Sequence, residues 1–234
     1  MPARPLLIAV EGISGSGKST LVARAAPLFG WVALAEAYDR LDPRPRIDVT
    51  APAALARVER ILLDEEGRRW QAARALVAEG RTVIADTGFL GPITYSAGLV
   101  EMGAAPASLK RDVVTRARAL ARSGRWGLPD LTIWLATEET ERRRRAIADP
   151  VRHPPQLADR HERVGRFESR FFAEGLPTVV PRRVRRLSGD RPVAAVVAGL
   201  RRTARAARPL RAGEGPALRV LDLLARFPVE GRPP

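Results

Sequence analysis

The sequence has no cysteine. Disulfide staples, thiolate nucleophiles and cysteine-built zinc sites are excluded on that ground alone. Histidine is almost as scarce. His153 and His161 are the two in the chain, too few to hold zinc unless carboxylates join them. The functional reading of such an imidazole is a phosphate contact near a lid; the plainer one is a solvated surface position. Lysine is equally rare, Lys18 and Lys110 against an abundance of arginine and alanine. That bias is what codon choice in a GC-rich genome produces, so the formal charge of +14 is not in itself a statement about a ligand. No apolar run approaches the roughly 20 residues that cross a bilayer, and Leu6–Val10 is too short for a secretory signal. The expectation is a cytoplasmic protein with no membrane partner.

What is present suits one folded α/β domain: 234 residues, 45% of them hydrophobic. The charge is uneven. Residues 181–211 hold ten arginines and one acid, Asp190, whereas residues 138–174 hold nine arginines and eight acids. The first stretch is a local basic patch and the second is nearly balanced.

Leu6–Val10 is continuously apolar, as a strand buried on both faces of a parallel sheet must be. A glycine-rich turn follows, then a helix from Lys18 expected to end at Pro27. Further strands are expected at Trp31–Ala37, Thr82–Ala85, Leu131–Leu135 and from Thr178 to Val180. Helical spacing runs from about Pro52 to Glu79, weakened by Gly67 and stopped by Gly80, and again over 107–122. Strands alternating with helices predict a parallel sheet covered on both faces, with ligands at the carboxyl ends of the strands. Glu11, Glu36 and Asp86 each close a strand there. The division expected is a domain over 1–207, with a lid at about 138–174, and an extension over 208–234 that is either a short docked helix or a loose tail.

Gly12-Ile13-Ser14-Gly15-Ser16-Gly17-Lys18-Ser19 fits G-x-x-x-x-G-K-[ST] between a strand and a helix. Phosphate oxygens must meet several backbone N–H groups at once, and side chains at Gly12, Gly15 or Gly17 obstruct that curvature. The helix that follows points its N-terminal N–H groups at the anion. Lys18 supplies charge to the β- and γ-phosphates, and Ser19 offers a hydroxyl to Mg²⁺. Ser14, Ser16 and Thr20 complete the loop. The motif specifies a nucleoside triphosphate with its metal, ATP and Mg²⁺ being the expected pair. Asp86, ending an apolar strand, is the expected second metal contact, through water; its alternative is to cap the turn at Thr87-Gly88.

With these motifs in view, the chain resembles the thymidylate kinase and deoxynucleoside kinase group of P-loop kinases over roughly residues 5–207. The resemblance rests on Leu6–Leu21, Arg69-Trp70-Gln71-Ala72, Val83–Asp86, Pro129–Leu135 and the arginine-rich segment after it. It implies a P-loop NTPase three-layer sandwich: a five-stranded parallel sheet, helices on both faces and a helical lid. It also implies a role for Glu36 as the acid that takes a proton from an acceptor hydroxyl, although Ala37 stands where the group has proline. The aspartate at position 86 belongs to an Asp-Arg pair in that group; here Thr87 follows, so Arg68 or Arg69 has to substitute if an acceptor phosphate is held. Lid arginines are expected over the transferred phosphoryl group, Arg142 and Arg145 being the two chosen from Arg142–Arg145, which span a full helical turn. Arg160, Arg163, Arg166 and Arg170 form one further helical stripe, its alternative reading being an exposed face ion-paired with Glu162 and Glu168.

The resemblance also implies an adenine contact for the loop Ser188–Pro192, with Arg191 as its arginine. Arg69, Phe89 and Tyr95, with Glu36, are the expected acceptor contacts, the aromatics having core packing as their alternative reading. Either Glu36 or Asp86 orients the acceptor. The function expected is transfer of the γ-phosphoryl of ATP to a nucleoside, nucleotide or related metabolite. Two alternatives stay open: a nucleic-acid-linked ATPase or polynucleotide 5′-kinase using the 181–211 patch, and a regulatory nucleotide-binding protein. Pairing of two copies through helices next to the acceptor site is compatible with the resemblance.

Overall fold

The computed structural model describes residues 4–45, 51–149, 158–209 and 215–227. Five parallel strands stand in the order β2-β3-β1-β4-β5: β1 (Leu7–Glu11), β2 (Val32–Leu34), β3 (Val83–Asp86), β4 (Leu131–Ala136) and β5 (Val184–Ser188). The first strand is central because its side chains are apolar on both faces. Ile8 and Val10 pack with α1 (Lys18–Phe29) and α8 (Val193–Ala206), whose Leu21, Val22, Val197 and Leu200 form one apolar layer. Leu7 faces the larger layer, built by α2 (Pro52–Ala78), α3 (Gly91–Glu101), α4 (Ala107–Arg122), α6 (Ala158–Arg170) and α9 (Gly215–Arg226). The expected three-layer sandwich is the one observed. β1 lies between β3 and β4, with Val10 level with Asp86 and Glu11 level with Trp134. That is a topological switch point, where the strand ends open a crevice.

Several boundaries differ from expectation. Pro27 lies inside α1; its fixed φ suits a helical turn, and the stop is Gly30, left-handed at φ 67°, whose N–H meets the carbonyls of Ala26 and Pro27. The second strand ends at Leu34, level with Ala85 of its single neighbour β3, which leaves Glu36 beyond the sheet edge. The fifth strand is not at Thr178–Val180. That β-branched stretch belongs to α7 (Leu176–Val179), reached from α6 through a π turn at Phe171–Gly175, and Thr178 satisfies its hydroxyl locally by donating to Gly175 O at 2.7 Å. The true β5 carries exposed Arg185 and Arg186, the charged dress of an edge strand.

The long α2 is unbroken through Gly67, where a Cβ would stand 3.4 Å from Arg125 O, so the glycine admits the neighbouring chain. After α5 (Glu139–Ala148), α6 continues the lid-like segment. His153 lies outside the described residues, as do 210–214 and 228–234; between them, α9 buries Val220, Leu221 and Leu224 in the larger layer. Among the described residues no helix is long and apolar enough to cross a membrane.

Candidate active site

The loop from Gly12 to Gly17 turns because Gly15 and Gly17 adopt φ of 79° and 97°, a region closed to most L-residues. Gly12 is required for closeness instead: a Cβ there would stand 2.8 Å from Leu135 O. The Lys18 ammonium folds back along the loop, donating to Gly12 O at 2.7 Å and Ile13 O at 3.4 Å. Ser19 and Thr20 open to solvent at the first turn of α1, where the N-terminal N–H groups gather.

One side of the loop carries a cavity of about 280 Å³, lined by Gly17, Thr20, Leu135, Arg145, Arg191 and Val193 among others. Arg145 is its organiser. Its guanidinium donates to Ser16 O at 3.0 Å, Gly189 O at 2.8 Å and Glu141 Oε1 at 2.8 Å. It thereby ties the P-loop to the loop after β5 and to the helix that carries it. Thr137 adds a second bond to Ser16 O at 3.1 Å. Arg142 behaves differently. It is buried, donating to Glu162 at 3.0 Å and to Thr137 O at 3.3 Å, and its own carbonyl stands 3.0 Å from where a Cβ on Gly15 would be. It props α5 against the loop by its backbone while its side chain is held by α6.

The other side of the loop is acidic. Glu11, at the end of β1, is buried against Gly88, whose missing Cβ leaves the space that Glu11 Oε1 fills. Burial pushes its carboxyl up to about 8, helped by Glu168 and opposed by the Gly88 N–H and by Lys18. Half-buried Glu36 lies beyond β2, its acidity weakened by burial first, with Lys18 and Arg69 opposing and Asp86 and Asp39 reinforcing. Glu168 of α6 accepts from Thr94 Oγ1 at 3.1 Å. Burial pushes it up to about 7, against the pull of Lys18. Asp86 keeps one carboxylate oxygen, Oδ1, buried without a hydrogen-bond partner among the described residues.

Arg69 meets this acidic group from α2. It is fully buried, its Nη1 2.5 Å from Glu66 Oε2 and its Nη2 donating to the carbonyls of Asp86 at 3.0 Å and Thr87 at 3.1 Å. The two carbonyls flank a peptide whose Thr87 has φ 54°, so the guanidinium fastens the turn that follows β3. Arg68 points elsewhere, to Glu65 at 2.8 Å.

The expected acceptor aromatics divide. Phe89 is core: 1% exposed, edge-on to Trp70 at 5.4 Å and under the Arg69 guanidinium at 5.3 Å. Tyr95 is half-buried between Arg160, Glu59 and Glu168, with burial raising its phenol. The stripe of α6 arginines does not converge: Arg160 bonds Tyr95, Arg163 bonds Met102 O at 3.1 Å, and Arg170 pairs with Glu101. Three participants went unassigned in the sequence. Glu168 figures in the sequence only as an ion-pair partner under one of two readings of the α6 stripe. Glu66 carried one usable signal, three residues before Arg69 on one helix face. Glu59 carried none.

No protein-family model matches the chain, and no curated protein matches it. Solved structures do. The fold is that of the P-loop deoxynucleoside and thymidylate kinases. Deoxyadenosine kinase from M. mycoides with bound dATP superposes with a TM-score of 0.68 at 13% identity, over 84% of this chain and 97% of that one. The same enzyme with dCMP and dCDP bound gives 0.64 at 13%, over the same shares. Thymidylate kinase from Candida albicans gives 0.58 at 16%, over 86% and 92%.

Proposed function

We propose that the protein is an ATP- and Mg²⁺-dependent phosphotransferase acting on the hydroxyl of a small acceptor. One observation carries the reading: the Lys18 loop separates a cavity lined by Arg145, Arg191 and Val193 from a carboxylate group containing Glu36, Asp86 and Glu168. Donor nucleotide and acceptor thus have separate walls, meeting at Lys18.

The base of ATP takes the cavity between Arg191 and Val193, and its phosphates follow the loop into the N-terminus of α1, where Lys18 exchanges its carbonyl partners for β- and γ-oxygens. Ser19 and Asp86 fit a hard cation, since both offer oxygen and Asp86 Oδ1 is buried without a partner. Mg²⁺, when bound, neutralises charge on the β- and γ-phosphates. Glu36, with Lys18 and Asp86 as electrostatic neighbours, accepts the acceptor's proton in this reading. The acceptor oxygen bonds to the γ-phosphorus as the bond to the β–γ bridging oxygen breaks. ADP leaves, and the proton passes to the Glu36 carboxylate. Arg145 holds the loop in register, and positioning with electrostatics suffices for this chemistry.

The test is ADP release with Mg²⁺-ATP against nucleosides, nucleoside monophosphates, amino sugars and 5′-hydroxyl oligonucleotides, with Lys18→Ala as control. Phosphorylation of a small acceptor, lost in the control, is the expected result. Stimulation by oligonucleotide alone favours a polynucleotide kinase, and nucleotide binding without turnover above the control favours a regulatory protein.

A further inference from the structure

Helix α5 stands between two cavities. It presents Glu141, Arg144 and Arg145 to the one beside the P-loop, and Glu138, Glu139 and Arg142 to a second, larger one of about 410 Å³. The floor of the second is the β4–β5 pair, where Trp134 stands level with Arg186 and Ala136 with Ser188. Its wall is a single face of α6 continued into the π turn: Glu162, Arg166, Ser169 and Ala173 recur at helical spacing. Ile13 of the P-loop reaches this cavity, whereas Lys18, Glu36 and Asp86 do not line it. A molecule held there is therefore away from the groups that transfer phosphate.

Three arginines line the cavity, and they differ in what they already hold. Arg142 is buried, bonded to Glu162 and to Thr137 O. Arg166 and Arg186 are exposed, and neither guanidinium has a hydrogen-bond or ion-pair partner among the described residues; nor has the Ser169 hydroxyl. The stretch 150–157 between the two lid helices adds no carboxylate to the chain. The acids of the cavity gather at its other end. Glu162 is held by Arg142 and Glu139 by Arg143, while Asp190 accepts from the Glu138 N–H at 2.9 Å and the Ser188 hydroxyl at 3.4 Å. Same-face residues of a strand lie roughly 7 Å apart, so Arg186 is set back from Ser188 along β5. The basic end of the cavity is thus beside Trp134, and the acidic end is at the start of α5.

We propose that Arg166, Ser169 and Arg186 form a second anion site, which takes the phosphate of a small singly phosphorylated metabolite acting as an effector. Guanidinium groups give forked, charge-assisted bonds to phosphate oxygens, and two of them match a dianion. The cavity has the size of a small-molecule site, and Trp134, Ala136 and Ala173 offer its apolar surface to the carbon skeleton. A run of phosphates does not suit it, because each further one moves toward Glu138, Glu139 and Asp190. The occupant bears on the P-loop through two contacts. Ile13 packs on α6 where Gly165 has no Cβ, and the Arg142 carbonyl lies against Gly15. Filling the cavity braces both lid helices against the loop that holds ATP.

The experiment titrates methyl phosphate, which has no hydroxyl free to accept a phosphoryl group from ATP, into the full chain carrying Lys18→Ala, so that the charge of the P-loop is removed. Calorimetry is expected to show one equivalent bound, more tightly than acetate, with tripolyphosphate binding no more tightly than methyl phosphate. Arg166→Gln and Arg186→Gln, each added to that background, are expected to weaken binding about tenfold or more, whereas Arg111→Gln, on the exposed face of α4, leaves it unchanged. Binding that survives both substitutions, that climbs with each added phosphate, or that is absent up to about 10 mM overturns the site. In the protein with Lys18 intact, methyl phosphate is expected to lower KM for ATP about twofold or more by linkage, and Arg166→Gln to abolish that response. A KM indifferent to methyl phosphate overturns the effector role. Absence of any Lys18-dependent turnover is the separate failure of the phosphotransferase reading, and the titration decides the anion site without it.

Discussion

Gly88 and Glu11 are fitted to one another: a Cβ on Gly88 would stand 2.1 Å from Glu11 Oε1, far inside the contact distance of a carbon and an oxygen. The contact joins the turn after β3 to the end of β1, the two strands that flank the P-loop. Gly88→Ala therefore has to displace a buried carboxyl, at an expected cost of about 1–3 kcal/mol in urea unfolding, with turnover falling alongside. In a Glu11→Ala background the same substitution is expected to cost much less. Equal costs in both backgrounds would show that the clash is not with Glu11.

Arg69 is the second fastening. Its removal leaves Glu66 buried without its cation and two carbonyls without a donor, and breaking a buried pair in this way costs about 3–5 kcal/mol. Arg69→Lys is expected to recover little, because an ammonium cannot span a carboxylate and two carbonyls as the guanidinium fork does. Equilibrium unfolding of both variants tests this, and recovery of wild-type stability by lysine would contradict it.

Glu59 gives a pH signature. Burial raises its carboxyl from 4.5 to about 8, so the native state holds a proton that the unfolded chain has released. Stability from this group is complete below pH 4.5 and is lost as pH rises from there through about 8. Glu59→Gln keeps the neutral shape at every pH. The variant is expected to match the wild type near pH 4.5 and to be more stable by roughly 2–4 kcal/mol above pH 8. Thermal melts at both ends check it; a constant difference across the range would rule out titration of Glu59.

The two lid arginines separate by role. Arg145→Ala unties Ser16 O from Gly189 O beside the nucleotide cavity and is expected to raise KM for ATP about tenfold. Arg142→Ala strands Glu162 and loosens α5, so its chief effect is expected on stability. Steady-state kinetics and melting curves on the pair distinguish the two, and the reverse pattern would exchange their assignments.

How far the sequence foretold this site follows from how local each signal is. The P-loop was legible because its turn, its glycines and its lysine lie within nine residues, between a strand and a helix. Asp86 was legible because an apolar run ends there. Arg69 was legible as a candidate, but its use on Glu66 and the Asp86–Thr87 carbonyls depends on where α2 passes β3. Glu168 was hidden by composition: in a helix with four arginines and three acids, surface pairing was the simpler reading, and only the packing of α6 against α3 at Gly98 and Val164 brings it to Thr94. The third helix, buried nearly all round, had no polar face to give it a period. The last strand was misplaced because β-branched residues at 178–180 suit a strand better than the arginine-laden edge that forms one.

The most direct measurement of the central claim is transfer of labelled γ-phosphate from ATP to an acceptor by wild type, Lys18→Ala and Glu36→Gln. The account predicts loss of at least about a hundredfold in kcat for each, since Lys18 meets the migrating charge and Glu36 the departing proton, with KM for ATP raised in the lysine variant alone. Label transferred at the wild-type rate by Lys18→Ala would contradict it.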